Sequence, residues 1–241
     1  MGYVDQEYGR LLQNIAVIEQ RIGYSFNNKE LLIQAFVHRS FLNEWNGDPL
    51  PSNERIEFLG DSVLNLFVSQ FLFISFPQAT EGEMSKKKAY LVSHDGCAKM
   101  SEIFDISSFV LVGKGEKKTL AETHSSLTSD LFEAIIGAIF LDGGWQAATQ
   151  FLSRFEQMLL QLAQEQSQNP KTALQEFLAR KGLGLPEYVV EEEQGPPHDR
   201  LFFVKVSICG RDLAHASGKT KQQAQFKAAQ EALEQLQGNQ Q

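Results

Sequence analysis

Two stretches of this chain place carboxylates at helical spacing beside strongly apolar residues. In NERIEFLGDSVLNLF, Glu54, Glu57 and Asp61 fall within about 60° of one another on a helix advancing about 100° per residue. Ile56, Leu59, Val63, Leu66 and Phe67 lie on the far side, so the spacing predicts separate buried and acidic stripes. SDLFEAIIGAIFLD repeats the arrangement, with Asp130 and Glu133 at i and i+3 and Phe132, Ile135, Ile136 and Ile139 as the apolar side. Carboxylates gathered in this way raise one another's pKa unless a cation lies among them, and hard ions such as Mg²⁺ prefer carboxylate and water oxygens. Spacing leaves two readings open. The acids form a solvated face near helix N-termini, where the helix dipole favours them, or they form a metal site if the two helices are neighbours.

The elements that must carry these residues are helical. Periodicity predicts helices over Leu11 to Ile22, Lys29 to Val37, Arg55 to Phe73, Ser85 to Phe104, Ser126 to Leu141 and Trp145 to Ala163. The breaks hold turn residues: Gly47, Pro49, Pro51, Pro77 and the pair Gly143 and Gly144. GKGEKK, from Gly113 to Lys118, lacks the spacing and preceding strand of a phosphate-binding loop and reads as a turn. QEQSQNP, from Gln164 to Pro170, is polar and aperiodic, as a linker is. Beyond it the pattern becomes a helix (Lys171 to Lys181), three β-like segments (Glu187 to Gln194, Leu201 to Cys209, Asp212 to Ala216) and a closing helix (Thr220 to Leu236). Alternation of Phe202, Val204, Val206 and Ile208 with Phe203, Lys205 and Ser207 marks a strand with one buried face. The chain thus reads as an all-α domain over 1–163, a linker over 164–169 and a small α+β domain (α-β-β-β-α) over 170–238.

Composition narrows the classes. The longest apolar stretch, Val63 to Phe76, is interrupted by Asn65, Ser69, Gln70 and Ser75, short of the roughly 18 to 20 apolar residues that span a membrane. With no secretory signal in MGYVDQEYGR, no membrane is expected as a partner and the expected compartment is the cytoplasm. Cys97 and Cys209 belong to no zinc motif and are predicted to be buried thiols, while His38, His94, His124 and His215 are scattered and read as structural or exposed. The net charge of −8 argues against a polyanionic partner. It is unevenly placed, however: 13 basic and 21 acidic residues precede residue 169, and nine of each follow.

AFVHRS, NERIEFLGDSVL, EGEMSKKKAYLVS, LVGKGE and SDLFEAIIGAIFLD, in this order, resemble the ribonuclease III family, and the C-terminal part is similar to a double-stranded-RNA-binding domain. The resemblance implies an all-α endonuclease domain followed by an RNA-binding domain, laid out as in the bacterial form. It places the metal-binding catalytic acids at Glu57, Asp61, Asp130 and Glu133, with Glu54, Glu81 and Lys88 in auxiliary roles near the cleavage site. The activity it implies is hydrolysis of RNA duplexes assisted by Mg²⁺, for which Mn²⁺ can substitute, leaving 5′-phosphate and 3′-hydroxyl ends with short 3′ overhangs. Ribosomal RNA precursors and other structured RNAs are the implied substrates. A cation bridging acid and phosphate reconciles the acidic domain with such a partner. Lys86, Lys87 and Lys88 also read as a solvated, weakly RNA-attracting face. Phe58, about 40° from Glu54 on the helix and off the core stripe, is implied to lie at a homodimer interface.

Duplex RNA presents a shallow minor groove and a deep, narrow major groove, so a small domain reads its shape and backbone. The resemblance assigns Thr172, Gln175 and Glu176 to one minor groove and His198 to the next. Lys219, Lys221 and the start of the last helix are assigned to phosphates between them. Gln222, Gln223 and Gln225 stand where basic residues are common in the family, with Lys227 partly restoring charge, which implies weaker, less salt-sensitive binding. Glu191, Glu192 and Glu193 read as a solvated strand end.

Overall fold

A computed structural model describes residues 2–167, 169–196 and 200–238, with backbone alone for 118–125, 166, 167 and 238. The chain divides into two units, Met1–Ala163 and Gln164–Gln241.

In the first unit Asn14 separates α1 (Tyr3–Gln13) from α2 (Ile15–Ile22), which closes on Gly23 in the left-handed region (φ 72°). The helix predicted from Leu11 to Ile22 is therefore two. Next come α3 (Lys29–Ala35), α4 (Arg39–Leu42) and the 22-residue α5 (Glu54–Ser75). The stretch expected to be one helix over Ser85 to Phe104 is also divided. Ser93 caps a new start by accepting from the Gly96 amide, separating α6 (Glu81–Leu91) from α7 (His94–Glu102). GKGEKK is not a turn: Gly113 is the N-cap of α8 (Lys114–Ser153), and its amide donates to Ser40 Oγ at 3.0 Å. The break expected at Gly143 and Gly144 survives as a kink in α8, where Gly144 has φ 72° and ψ −170°. The last helix of the unit, α9 (Glu156–Ser167), runs through the first part of the stretch predicted as linker.

The core of this unit joins α5 to α8. On α5 the buried stripe is Ile56, Gly60, Val63, Leu64, Phe67, Val68 and Leu72. It is rotated from the predicted one: Leu66 is 57% exposed, and with Phe58 (77%) and Phe73 (71%) it forms an apolar strip open to solvent. Glu57 and Asp61 consequently border the core and are half-buried, where the sequence had set them opposite it. By length and composition α5 could cross a membrane, contrary to the expectation of no such segment, but its buried stripe packs against α8 as a core helix. Lys87 also departs from the reading as a solvated face. It is buried, donates to the Ala163 carbonyl at 2.9 Å and lies 4.9 Å from the centre of the Phe76 ring.

In the second unit α10 (Pro170–Arg180) starts at Asn169, whose side chain accepts from the Lys171 amide, with proline at the first helical position. The antiparallel sheet β1 (Glu187–Gln194), β2 (Leu201–Ile208) and β3 (Arg211–Gly218) runs in that order, with Val190 opposite Val204 and Val204 opposite Ala216. It packs with α10 and α11 (Lys221–Gly238) over a core of Leu174, Leu178, Val204, Val206, Ala224 and Ala228. Cys209, expected to be buried, is exposed because it takes the first place of the β2–β3 turn at φ 47°, ahead of Gly210 at φ 76°.

Candidate active site

Two glycines bring the acidic helices together. A Cβ on Gly60 of α5 would stand 1.8 Å from the Glu133 carbonyl oxygen, and one on Gly137 of α8 would stand 2.2 Å from the Ile56 carbonyl oxygen. The backbones touch at this crossing, so only hydrogen fits at either position. Glu57 and Asp61 flank Gly60, and Glu133 lies one turn before Gly137. Sequence periodicity gave no reason to single out these glycines, although a glycine inside each of two long apolar helices was a readable signal of close approach.

The carboxylates feel one another strongly. Glu57 is pushed up to about 7, first by burial and then by Asp130, Glu54 and Asp61. Glu133 is likewise pushed up to about 7, by burial and then by Asp61 and Glu57, with the Cys97 thiol acting against the rise. Burial raises Asp130 as well, and His94 and His38 oppose it. The two histidines read as structural or exposed thus border the site. His38 is lowered chiefly by its own burial, and its Nδ1 faces Ser40 Oγ at 2.7 Å while accepting from the Ser40 amide. Asn65, one turn on from Asp61, donates to Asp61 Oδ1 at 2.7 Å.

The auxiliary residues divide. Glu54, at the start of α5, accepts from Ser52 Oγ at 3.1 Å, pairs with Arg39 at 3.7 Å and contributes to the field at Glu57. Glu81 and Lys88 are not brought to the four acids; they line a pocket of about 230 Å³ with Ser69, Leu72, Phe73, Met84 and Ser85, beyond the midpoint of α5.

Among the described residues no three His, Cys, Asp or Glu side chains close on a point as a ready-made metal cage. The donor set nonetheless fits a hard divalent ion. Such an ion keeps several waters and takes only one or two carboxylates directly, and carboxyls pushed up by burial and then by one another's charge are relieved by a cation.

Residues 28–160 match the family model described as ribonuclease-III-like, and residues 170–236 match the double-stranded RNA binding motif. The chain belongs to the ribonuclease III family. Among curated relatives, Ribonuclease 3 of a Geobacillus species is 42% identical over 220 residues, covering 91% of this chain and 89% of the relative. Ribonuclease 3 of Protochlamydia amoebophila is 40% identical over 224 residues, 92% of each. Among solved structures, a nuclease domain of ribonuclease III from Campylobacter jejuni aligns with a TM-score of 0.53 at 37% identity, covering 58% of this chain and 94% of that one.

The residues that the resemblance assigns to RNA contacts lie in the second unit. Thr172, Gln175 and Glu176 follow one face of α10, and Lys219 and Lys221 are exposed at the start of α11, where Thr220 Oγ1 accepts from the Gln223 amide at 3.1 Å. His198 lies outside the described residues. Glu191 and Glu193 are more than a solvated strand end. Glu191 pairs with His215 at 2.9 Å and Lys205 at 3.7 Å, and Glu193 with Lys221 at 2.9 Å and Arg200 at 3.1 Å. The Lys221 ammonium holds Glu193 below the usual carboxylate range. Gln225, one of the glutamines at a basic position, accepts from Lys171 at 2.8 Å.

Proposed function

We propose that this member of the ribonuclease III family cleaves double-stranded RNA by hydrolysing phosphodiester bonds at Glu57, Asp61, Asp130 and Glu133, which would hold Mg²⁺ or, in its place, Mn²⁺. The observation that carries the reading is the Gly60–Gly137 crossing, which forces acids from two helices into one half-buried cluster whose members Glu57 and Glu133 are pushed up to about 7. A bound divalent ion supplies a water of lowered pKa and offsets charge on the leaving 3′ oxygen, consistent with 5′-phosphate and 3′-hydroxyl products. The chain's own part is to hold the acids against their repulsion and to dock the duplex. Thr172, Gln175, Glu176 and His198 are the proposed minor-groove contacts, with Lys219 and Lys221 on phosphates.

The apolar strip of α5 supports a homodimer. Leu66 lies eight residues after Phe58 and seven before Phe73. A two-fold axis near Leu66 therefore sets Phe58 of one copy against Phe73 of the other, at the pocket that also holds Glu81 and Lys88. This pairing brings Glu81 and Lys88 toward the acidic end of the second copy's α5, which gives them an auxiliary role that one copy alone does not. We place the enzyme in the cytoplasm, with ribosomal RNA precursors and other structured RNAs as its substrates.

The test is a long RNA duplex incubated with the purified protein, with and without Mg²⁺, beside Asp61→Asn and Glu133→Gln variants that retain folding and duplex binding. Cleavage to short duplexes that needs the ion and is lost in both variants is the expected result. Binding without cleavage under Mg²⁺ or Mn²⁺ would overturn the reading.

A further inference from the structure

A buried thiol stands behind the acid cluster, outside the roles described so far. Cys97 of α7 has no exposed surface, and its Sγ lies 3.6 Å from Glu133 Oε1. Beside it, Gly96 lies close against the end of α6, where a Cβ would sit 2.3 Å from the Leu91 carbonyl oxygen. Burial and then the Glu133 charge push the thiol up, and a hydrogen bond with Ser129 opposes the rise. A thiol donates through its S–H and an ionised carboxylate can only accept, so the contact runs from Cys97 to Glu133. Among the described residues it is the hydrogen-bond donor that Glu133 has.

We infer that Cys97 is a positioning residue for Glu133. Its S–H fixes one carboxylate oxygen and leaves the other for the cluster, so that the thiol sets how readily the cluster takes a divalent ion. This rests on the reading of the acids as a cation site. Partners that orient a metal-ligating group commonly change metal affinity by 10- to 100-fold when removed. A thiol is a weak donor, which places the expected effect at the low end.

The experiment compares wild type, Cys97→Ala, Cys97→Ser and Glu133→Gln in the full chain. It reads the Mg²⁺ concentration that gives half of the ion-induced rise in melting temperature, and separately the concentration for half-maximal cleavage. Cys97→Ala should raise both midpoints about 5- to 10-fold while leaving the rate at saturating Mg²⁺ and duplex binding nearly unchanged. Cys97→Ser, which restores a donor, should recover at least half of the shift on a logarithmic scale. Unchanged midpoints in Cys97→Ala, or equal shifts in the Ala and Ser variants, overturn the inference. A Glu133→Gln variant with a wild-type response to Mg²⁺ overturns the cation site itself, a separate failure. Should Cys97→Ala not fold, the S–H stretching band in a Cys209→Ser background decides the matter. A frequency that moves on adding Mg²⁺ supports the contact, and one that stays fixed refutes it.

Discussion

Without a divalent ion, replacing a proposed catalytic acid should make the protein more stable. Glu133 titrates at about 7 in the fold against an ordinary 4.5, so the native state holds its proton more tightly than the unfolded chain does. The associated stability is fully present below about 4.5, declines as pH rises toward about 7 and is absent above it. At about 1.4 kcal/mol per pH unit the cost of ionising Glu133 in the fold has a ceiling of about 3–4 kcal/mol. Glu57 shares the repulsion and titrates with it, and solvent screens part of the field, so Glu133→Gln should recover about 1–2 kcal/mol at pH 7.5. For a helical domain of this size that is a rise of roughly 2–8 °C in melting temperature. The assay is thermal unfolding followed by circular dichroism in chelator, from pH 5 to 8, repeated with excess Mg²⁺. The wild type should lose stability across that range and regain it with the ion, while the variant changes little in either respect. A variant that melts below wild type at pH 7.5 in chelator would show that the acids do not repel one another as the fold requires.

Gly60→Ala places a methyl group against the Glu133 backbone and should cost about 1–3 kcal/mol or more in denaturant unfolding, with cleavage reduced even where the protein still folds. Phe58→Glu puts a charge into the apolar strip of α5; light scattering should report a monomer, and duplex cleavage should fall, while a dimer of undiminished stability would argue against this face. Glu193→Gln releases Lys221 from its ion pair, so filter binding should show roughly two- to fivefold tighter duplex binding and a salt dependence steeper by about one phosphate contact.

Helical periodicity located α5, α8 and α10 by their apolar stripes, period-two alternation located β2, where Val204 and Val206 are buried, and the acids were legible as groups beside the apolar stripes of their helices. What it missed came from contacts between elements. The stripe of α5 was misjudged because Leu66 and Phe73 are apolar yet exposed, while Gly60 is buried without contributing apolar side-chain area. Capping by Ser93 and Gly113 divided or extended helices that apolar spacing had left continuous or unstarted. Lys87 looked like part of a basic run, but its ammonium reaches the Ala163 carbonyl, a partner 76 residues away in sequence. Cys97 gave no sign of its role because a lone cysteine on a helix is indistinguishable from core until its neighbour is known.

The contact between Gly60 and Gly137 has a bearing on how related sequences are judged active or dead. Inspecting the four proposed catalytic acids alone treats catalysis as a checklist of residue types. Here their meeting place is set by two positions with no side chain, and a chain could keep every acid yet lose the site through one added methyl group. Conversely, a relative with a displaced acid but both glycines retains the framework on which a neighbouring carboxylate could restore function. Screens for inactive members should therefore score the crossing together with the acids it aligns.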